Sequence, residues 1–236
     1  MKFVMRLDEL LADLEAFGIE NDRRQSERRR QMFNIPRTTG QFLQVLATAA
    51  RVQRILEIGT SNGYSTLWLA RAALAVGGRV TTVERSEFKI TLARINFERS
   101  GMVDVITQVH GQAGDYLARA VEASFDFVFL DSERGEYPHW WQHLDRLLAP
   151  GGLLVVDNAL SHRDELKPFF TLVEADPRFT TCVVPVGKGE YMAVKALKPV
   201  GEGKSAAVKA LTGQVTPTGQ VTPTGQATPT GQASVE

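Results

Sequence analysis

Three short stretches of this chain hold residue types able to do chemistry together. The first is Glu57-Ile58-Gly59-Thr60-Ser61-Asn62-Gly63-Tyr64-Ser65. Gly59 lets the backbone turn sharply and come close to a ligand. Gly63 and Ser65 stand at the start of the helix expected next, where free N–H groups and the helix dipole favour an anion. A dinucleotide site wants G-x-G-x-x-G, and here Ser61 and Tyr64 occupy the second and third glycine positions, so a pyrophosphate fits poorly. An amino-acid carboxylate is a smaller anion. The second stretch is the end of the following β-type run, at Glu84, where an acid can accept hydrogen bonds from both hydroxyls of a ribose. The third is a pair of acidic strand ends, Leu130-Asp131-Ser132-Glu133-Arg134 and Val156-Asp157-Asn158. Two carboxylates and an amide oxygen make a hard-oxygen set suited to Mg²⁺ or Ca²⁺. The residues alone leave a second reading open, in which Asp131 and Asp157 cap loops or pair with Arg134.

These stretches need a scaffold that brings them to one edge. β-type runs are expected over 52–58, 79–83, 103–109, 125–130, 152–156, 180–184 and 191–194. Helical spacing falls over 64–75, with Leu67, Ala70 and Leu74 on one face, and over 137–148 and 163–175. Ser86 reads as the N-cap of a helix through Phe97. Two or three helices precede the first strand, through about Ala50. Strand–helix alternation predicts an α/β fold of Rossmann-like type, a mostly parallel seven-stranded sheet with helices on both faces. Such sheets bind ligands at the carboxyl ends of their strands, where strand order reverses. The loops after Ile58, Val83, Leu130 and Val156 meet there.

The chain has 236 residues, 43% of them apolar and 23% charged, with a net charge of zero, so no global field draws it to nucleic acid or an anionic membrane. Its one cysteine, Cys182, excludes an internal disulfide and reads as a packing residue in a β-type run. Neither a signal peptide nor an apolar run long enough for a bilayer is legible, and a cytoplasmic protein is expected. A globular domain over 1–198, with a helical cap over 1–50, precedes a hexapeptide-repeat tail over 199–236. The tail has no aromatics and almost no large apolar side chains, which predicts disorder.

Together, the glycine loop, Glu84, Phe-Leu-Asp131-x-x-Arg134 with Tyr137, and Pro150-Gly151-Gly152 through Asp157-Asn158 resemble the catechol O-methyltransferase family, particularly its small bacterial members. The resemblance spans roughly residues 28–195. It implies the class I methyltransferase fold, S-adenosylmethionine as cofactor, Mg²⁺ or another divalent cation, and a hydroxylated aromatic acceptor. Asn34 and Ile35 would offer backbone groups to the methionine end of the cofactor, beside Glu57, Gly59, Ser61, Gly63 and Ser65. Glu84 would hold the ribose, and Ala113 and Ser132 would border the adenine. Asp131, Asp157 and Asn158 would be the metal ligands. Relatives also suggest a homodimer.

The chain departs from its relatives at three places. Arg134 stands where they often carry a lysine proposed as general base, and arginine stays protonated in proteins. Ser61 replaces an aromatic found in some members. Ala159-Leu160-Ser161-His162 replaces a tryptophan-glycine segment. His162 is a candidate for touching substrate or taking a proton; the other reading is that Ser161 N-caps the next helix and His162 is incidental. His139 and His143 have zinc spacing on a helix but no third ligand. The basic run Arg23, Arg24, Arg28, Arg29 and Arg30 is interspersed with Glu27 and reads as a solvated face. Its alternative is contact with transfer RNA, the acceptor then being a hydroxyuridine. A non-catalytic binding module and a nucleotide oxidoreductase are the remaining readings.

Overall fold

The computed structural model describes residues 5–197, so the expected tail over 199–236 and its boundary lie outside the described residues. Two helices lead in, α1 (Leu7–Arg24) and α2 (Arg37–Ala49), separated by a 3₁₀ turn at Arg28–Arg30. Alternation then begins: β1 (Arg54–Ile58), α3 (Tyr64–Val76), β2 (Arg79–Glu84), α4 (Glu87–Ser100), β3 (Ile106–His110), α5 (Ala113–Arg119) and β4 (Phe125–Leu130). It continues through α6 (Tyr137–Leu147), β5 (Leu148–Val156), α7 (Arg163–Glu174), β6 (Phe179–Val184) and β7 (Glu190–Lys195).

The seven strands lie in the order β3-β2-β1-β4-β5-β7-β6. The first five are parallel to one another, and β7 runs antiparallel to both β5 and β6. Strand order reverses between β1 and β4, which places the glycine loop beside Asp131. β4 reads Phe-Asp-Phe-Val-Phe-Leu because it is central and covered on both sides. Alternate side chains of β1 serve opposite faces: Ile55 packs with Leu43, Leu67 and Phe127, whereas Leu56 and Ile58 pack with Val128, Leu144 and Phe169.

The elements match the sequence pattern with four differences. Helix α3 is buried around most of its circumference, yet Leu74 is exposed; the face reads Leu67 and Ala70 without it. Strand β3 starts at Ile106, since Gly101 ends α4 in the left-handed region and residues 102–105 form a turn. Strand β5 reaches back through Pro150-Gly151 to Leu148, with a register shift opposite β4. Helix α5, only seven residues long, gave no helical period to detect. Ser86 does cap α4, its hydroxyl accepting the Lys89 amide at 3.4 Å. Cys182, expected in packing, is exposed. Among the described residues no helix is long and apolar enough to cross a membrane.

Candidate active site

β1 delivers the glycine loop to the switch point. Gly59 has φ +110°, and a Cβ there would sit 2.1 Å from the Asp131 carbonyl oxygen, so the loop passes against the end of β4 with no room for a side chain. Ser61 also holds a positive φ, 49°, and is fixed twice. Its amide donates to Glu84 Oε2 at 2.9 Å and its hydroxyl donates to the Met32 carbonyl at 2.7 Å. The Ser86 amide donates to Glu84 Oε1 at 2.9 Å. Two backbone amides therefore aim the half-buried Glu84 carboxylate at the loop, with lone pairs left for ligand hydroxyls.

Two of the residues expected at the cofactor lie under the loop and brace it. Glu57 is fully buried and accepts hydrogen bonds from Ser65 and Thr82, each at 2.6 Å, and from Thr66. Burial pushes the Glu57 carboxyl up to about 7, against the three hydroxyls that favour its ionised form. Gly63 opens α3 at φ +88°, where a Cβ would meet the Phe97 ring at 2.5 Å. The Asn34 side chain turns inward to the Leu14 carbonyl at 2.9 Å and Ile35 is buried. Ala113 begins α5, and the Ser132 amide donates to the buried Tyr137 hydroxyl at 2.7 Å.

The acids come together at the ends of β4 and β5. The sheet ladder continues one residue past each strand: Asp131 N–H donates to the Ile58 carbonyl and Asp157 N–H to the Leu130 carbonyl, both at 3.1 Å. Asn158, at φ +69°, donates its amide nitrogen to Asp157 Oδ2 at 2.8 Å and to Asp131 Oδ1 at 3.4 Å. Burial holds the Asp131 carboxyl well above the usual range, helped by the charges of Asp157 and Glu57 and opposed by Lys188 and Arg134. Burial also raises Asp157, against the nearby charges of Lys188 and Arg134. Asp157 Oδ1 is buried with no protein hydrogen-bond partner among the described residues. Two close carboxylates with an orphaned oxygen are a donor set that a divalent cation would satisfy. Among the described residues no group of three or more His, Cys, Asp or Glu is placed to hold a metal ion, and His139 and His143 remain without a third ligand.

Around this centre, Arg134 is mostly covered and donates from Nε to Glu165 Oε2 at 2.8 Å. His162 occupies the N-cap position of α7 but makes no side-chain cap. Ser161 is not the cap either: its hydroxyl lies 2.9 Å from His162 Nδ1 and 3.3 Å from Asn158 Oδ1. Of the five N-terminal arginines, Arg23 and Arg24 pair with Glu20, and Arg29 and Arg30 pair with Glu27. Only Arg28 makes no salt bridge among the described residues.

Three functional candidates escaped the sequence reading. Glu190 is fully buried, accepts from the Thr39 hydroxyl at 3.1 Å, and is pushed up to about 10 by burial and by the Asp157 charge. Lys188, beside it, acts on both Asp131 and Asp157. The available signal was strand direction. β7 is antiparallel, so its first residues, not its last, lie at the carboxyl edge of its neighbours. Lys89, in the first turn of α4, is the third: burial lowers it, and Glu84, Asp22 and Asp131 act against that.

This fold, with a glycine loop and ribose-type acid on one side of the switch point and paired acids on the other, defines a Rossmann-like protein of the class I methyltransferase type. The chain belongs to the O-methyltransferase family, whose sequence profile matches residues 7–196. It is 40% identical over 121 residues to a catechol O-methyltransferase of Mycobacterium tuberculosis, covering 51% of this chain and 54% of that protein. The matched part thus spans about half the length of that relative. It is 31% identical over 169 residues to a putative O-methyltransferase of Mycobacterium bovis, covering 66% of this chain and 75% of the relative. The crystal structure of an O-methyltransferase from Bacillus cereus in complex with SAH superposes with a TM-score of 0.65 at 30% identity, covering 80% of this chain and 90% of that one.

Proposed function

We propose that this chain is an S-adenosylmethionine-dependent, divalent-metal-assisted O-methyltransferase acting on a hydroxyl of a small, catechol-like aromatic. One observation carries the reading: Asp131, Asp157 and Asn158 converge beside the glycine loop, with a buried carboxylate oxygen of Asp157 left without a partner. The names borne by the relatives point the same way, and the Bacillus cereus structure holds the demethylated cofactor.

In this reading the backbone around Gly59, Ser61 and Gly63, with that of Asn34 and Ile35, takes the amino-acid end of the cofactor. Glu84 takes the ribose hydroxyls, and Ala113 and Ser132 border the adenine. S-adenosylmethionine, when bound, supplies a methyl group on a sulfonium, already activated for displacement. Asp131 and Asp157, with Asn158 once its amide is turned so that Oδ1 faces them, would hold Mg²⁺ or another divalent cation, which when bound lowers the pKa of a hydroxyl and orients it. The cationic Arg134 cannot take a proton; held by Glu165, it stabilises negative charge on the acceptor oxygen. An imidazole can take up a proton near neutral pH, and His162, tied to Ser161 beside Asn158, is the candidate for that role. The buried loop braces keep both reactants in register, and positioning of this kind is worth on the order of 7 kcal/mol of barrier.

A methyl-transfer assay with catechol, run with Mg²⁺ and with excess chelator, tests the reading. Transfer that needs the metal is expected. Full activity in chelator removes the metal from the mechanism, and failure to bind S-adenosylmethionine by calorimetry removes the activity altogether.

A further inference from the structure

The segment from Arg28 to Asn34 is tied to the glycine loop through Met32 and carries an unusual residue. Phe33 holds φ +52° and leaves a large aromatic ring substantially exposed. A bulky residue in that backbone region is strained by roughly 1–3 kcal/mol and persists only when its surroundings impose it. Asp22 imposes it here: Asp22 Oδ2 accepts the Phe33 amide at 2.8 Å and Oδ1 accepts the Met32 amide at 2.5 Å. The Met32 carbonyl in turn accepts the Ser61 hydroxyl, which ties this strap to the glycine loop.

Two cations face the Phe33 ring. The Arg28 guanidinium carbon lies 4.7 Å from the ring centroid and Lys89 Nζ lies 6.0 Å from it. Burial lowers the Lys89 ammonium, and the charges of Glu84, Asp22 and Asp131 act against it, so Lys89 lies within electrostatic reach of both acid sites. The Arg28 charge acts on Lys89 and on Glu165, the partner of Arg134. Its four neighbouring arginines are committed to Glu20 and Glu27, whereas Arg28 keeps its guanidinium fork free of any salt bridge among the described residues. An exposed ring with a flat, uncommitted guanidinium on it suits an aromatic molecule that carries an acid: the ring covers Phe33 and the fork takes the carboxylate in two hydrogen bonds.

We propose that Arg28, with Phe33 and Lys89, forms an acceptor-selecting rim that favours a hydroxylated aromatic bearing an ionised carboxylate over neutral or cationic catechols. The proposal rests on the reaction proposed above for what the acceptor is, but the rim can be read separately by binding. The probes are protocatechuate, catechol and dopamine. In the methyl-transfer assay the wild type should rank them in that order by kcat/KM. Arg28→Ala should lower the protocatechuate-to-catechol ratio of kcat/KM by about tenfold, the scale of one charge-assisted hydrogen bond, with Arg28→Lys between the two. Calorimetry of protocatechuate and of catechol on wild-type and Arg28→Ala protein, with S-adenosylhomocysteine and Mg²⁺ present, should give the same ratio in Kd. Arg28-dependent binding of protocatechuate without transfer to any catechol would sink the proposed reaction and support the rim. An unchanged ratio in Arg28→Ala, or dopamine preferred by the wild type, would overturn the rim while leaving the reaction standing.

Discussion

Asp157 and Glu190 meet across the β5–β7 edge as two buried carboxyl groups, and Asp157 Oδ1 and Glu190 Oε2 each lack a hydrogen-bond partner among the described residues. β5 and β7 pair Val156 with Tyr191, so the next residues outward are these two acids. Glu190 is held from the other side by Thr39 of α2. The arrangement lets one carboxylate remain ionised where two could not. Glu190→Gln keeps an acceptor for Thr39 and offers an amide donor toward Asp157, and should leave stability within about 1 kcal/mol of the wild type. Glu190→Ala leaves the buried Thr39 hydroxyl without its acceptor and empties the space beside Asp157, and should cost about 2–3 kcal/mol in urea unfolding. Equal losses in the two variants would mean that the hydrogen bond from Thr39 is not what Glu190 contributes.

Asp131 separates binding from chemistry. It belongs to the paired acids, while its backbone, not its side chain, closes against Gly59. Asp131→Ala should therefore abolish methyl transfer while S-adenosylmethionine affinity falls by no more than about threefold. Turnover in Asp131→Ala near the wild-type rate would take the acid out of the reaction.

The central sheet was legible because its signal is strong. A run such as Phe125–Leu130 is apolar on both faces only when it is covered on both, and Gly59 before a helical period marks a strand-to-helix turn. The acids at 131 and 157 follow directly from such strand ends. What sequence could not supply was contact between distant segments. That Ser65 and Glu57 turn toward each other under the loop depends on Thr66 and Thr82 completing the cage. That Glu190 joins the acids depends on β7 running antiparallel. Helix α5 has too few residues to display a period, and the pairing of Arg23, Arg24, Arg29 and Arg30 with only two glutamates is a matter of side-chain placement.

Glu84 has two duties that substitution can separate. It accepts the Ser61 and Ser86 amides, and it faces the place proposed for the ribose. Glu84→Ala removes both and should weaken S-adenosylmethionine by roughly tenfold to a hundredfold in calorimetry. Glu84→Gln keeps an acceptor for one amide but loses acceptor capacity toward two hydroxyls, so it should fall between. Unchanged affinity in Glu84→Ala would place the ribose elsewhere.

Glu57 makes stability depend on pH, and the sign follows from its environment. Burial raises its carboxyl from the ordinary 4.5 to about 7, so the folded chain binds that proton more tightly than the unfolded chain does. The stabilisation is complete below the ordinary value and is lost as pH rises through about 7, when an ionised carboxylate must be kept in the interior. Glu57→Gln has nearly the same shape, can still meet the Ser65, Thr66 and Thr82 hydroxyls, and cannot ionise. Between about pH 5 and about pH 8 the wild type should lose roughly 2–3 kcal/mol relative to this variant, measured by urea unfolding at both values. A constant difference between the two proteins across that range would show that Glu57 is already ionised in the fold, its three hydroxyl donors outweighing burial.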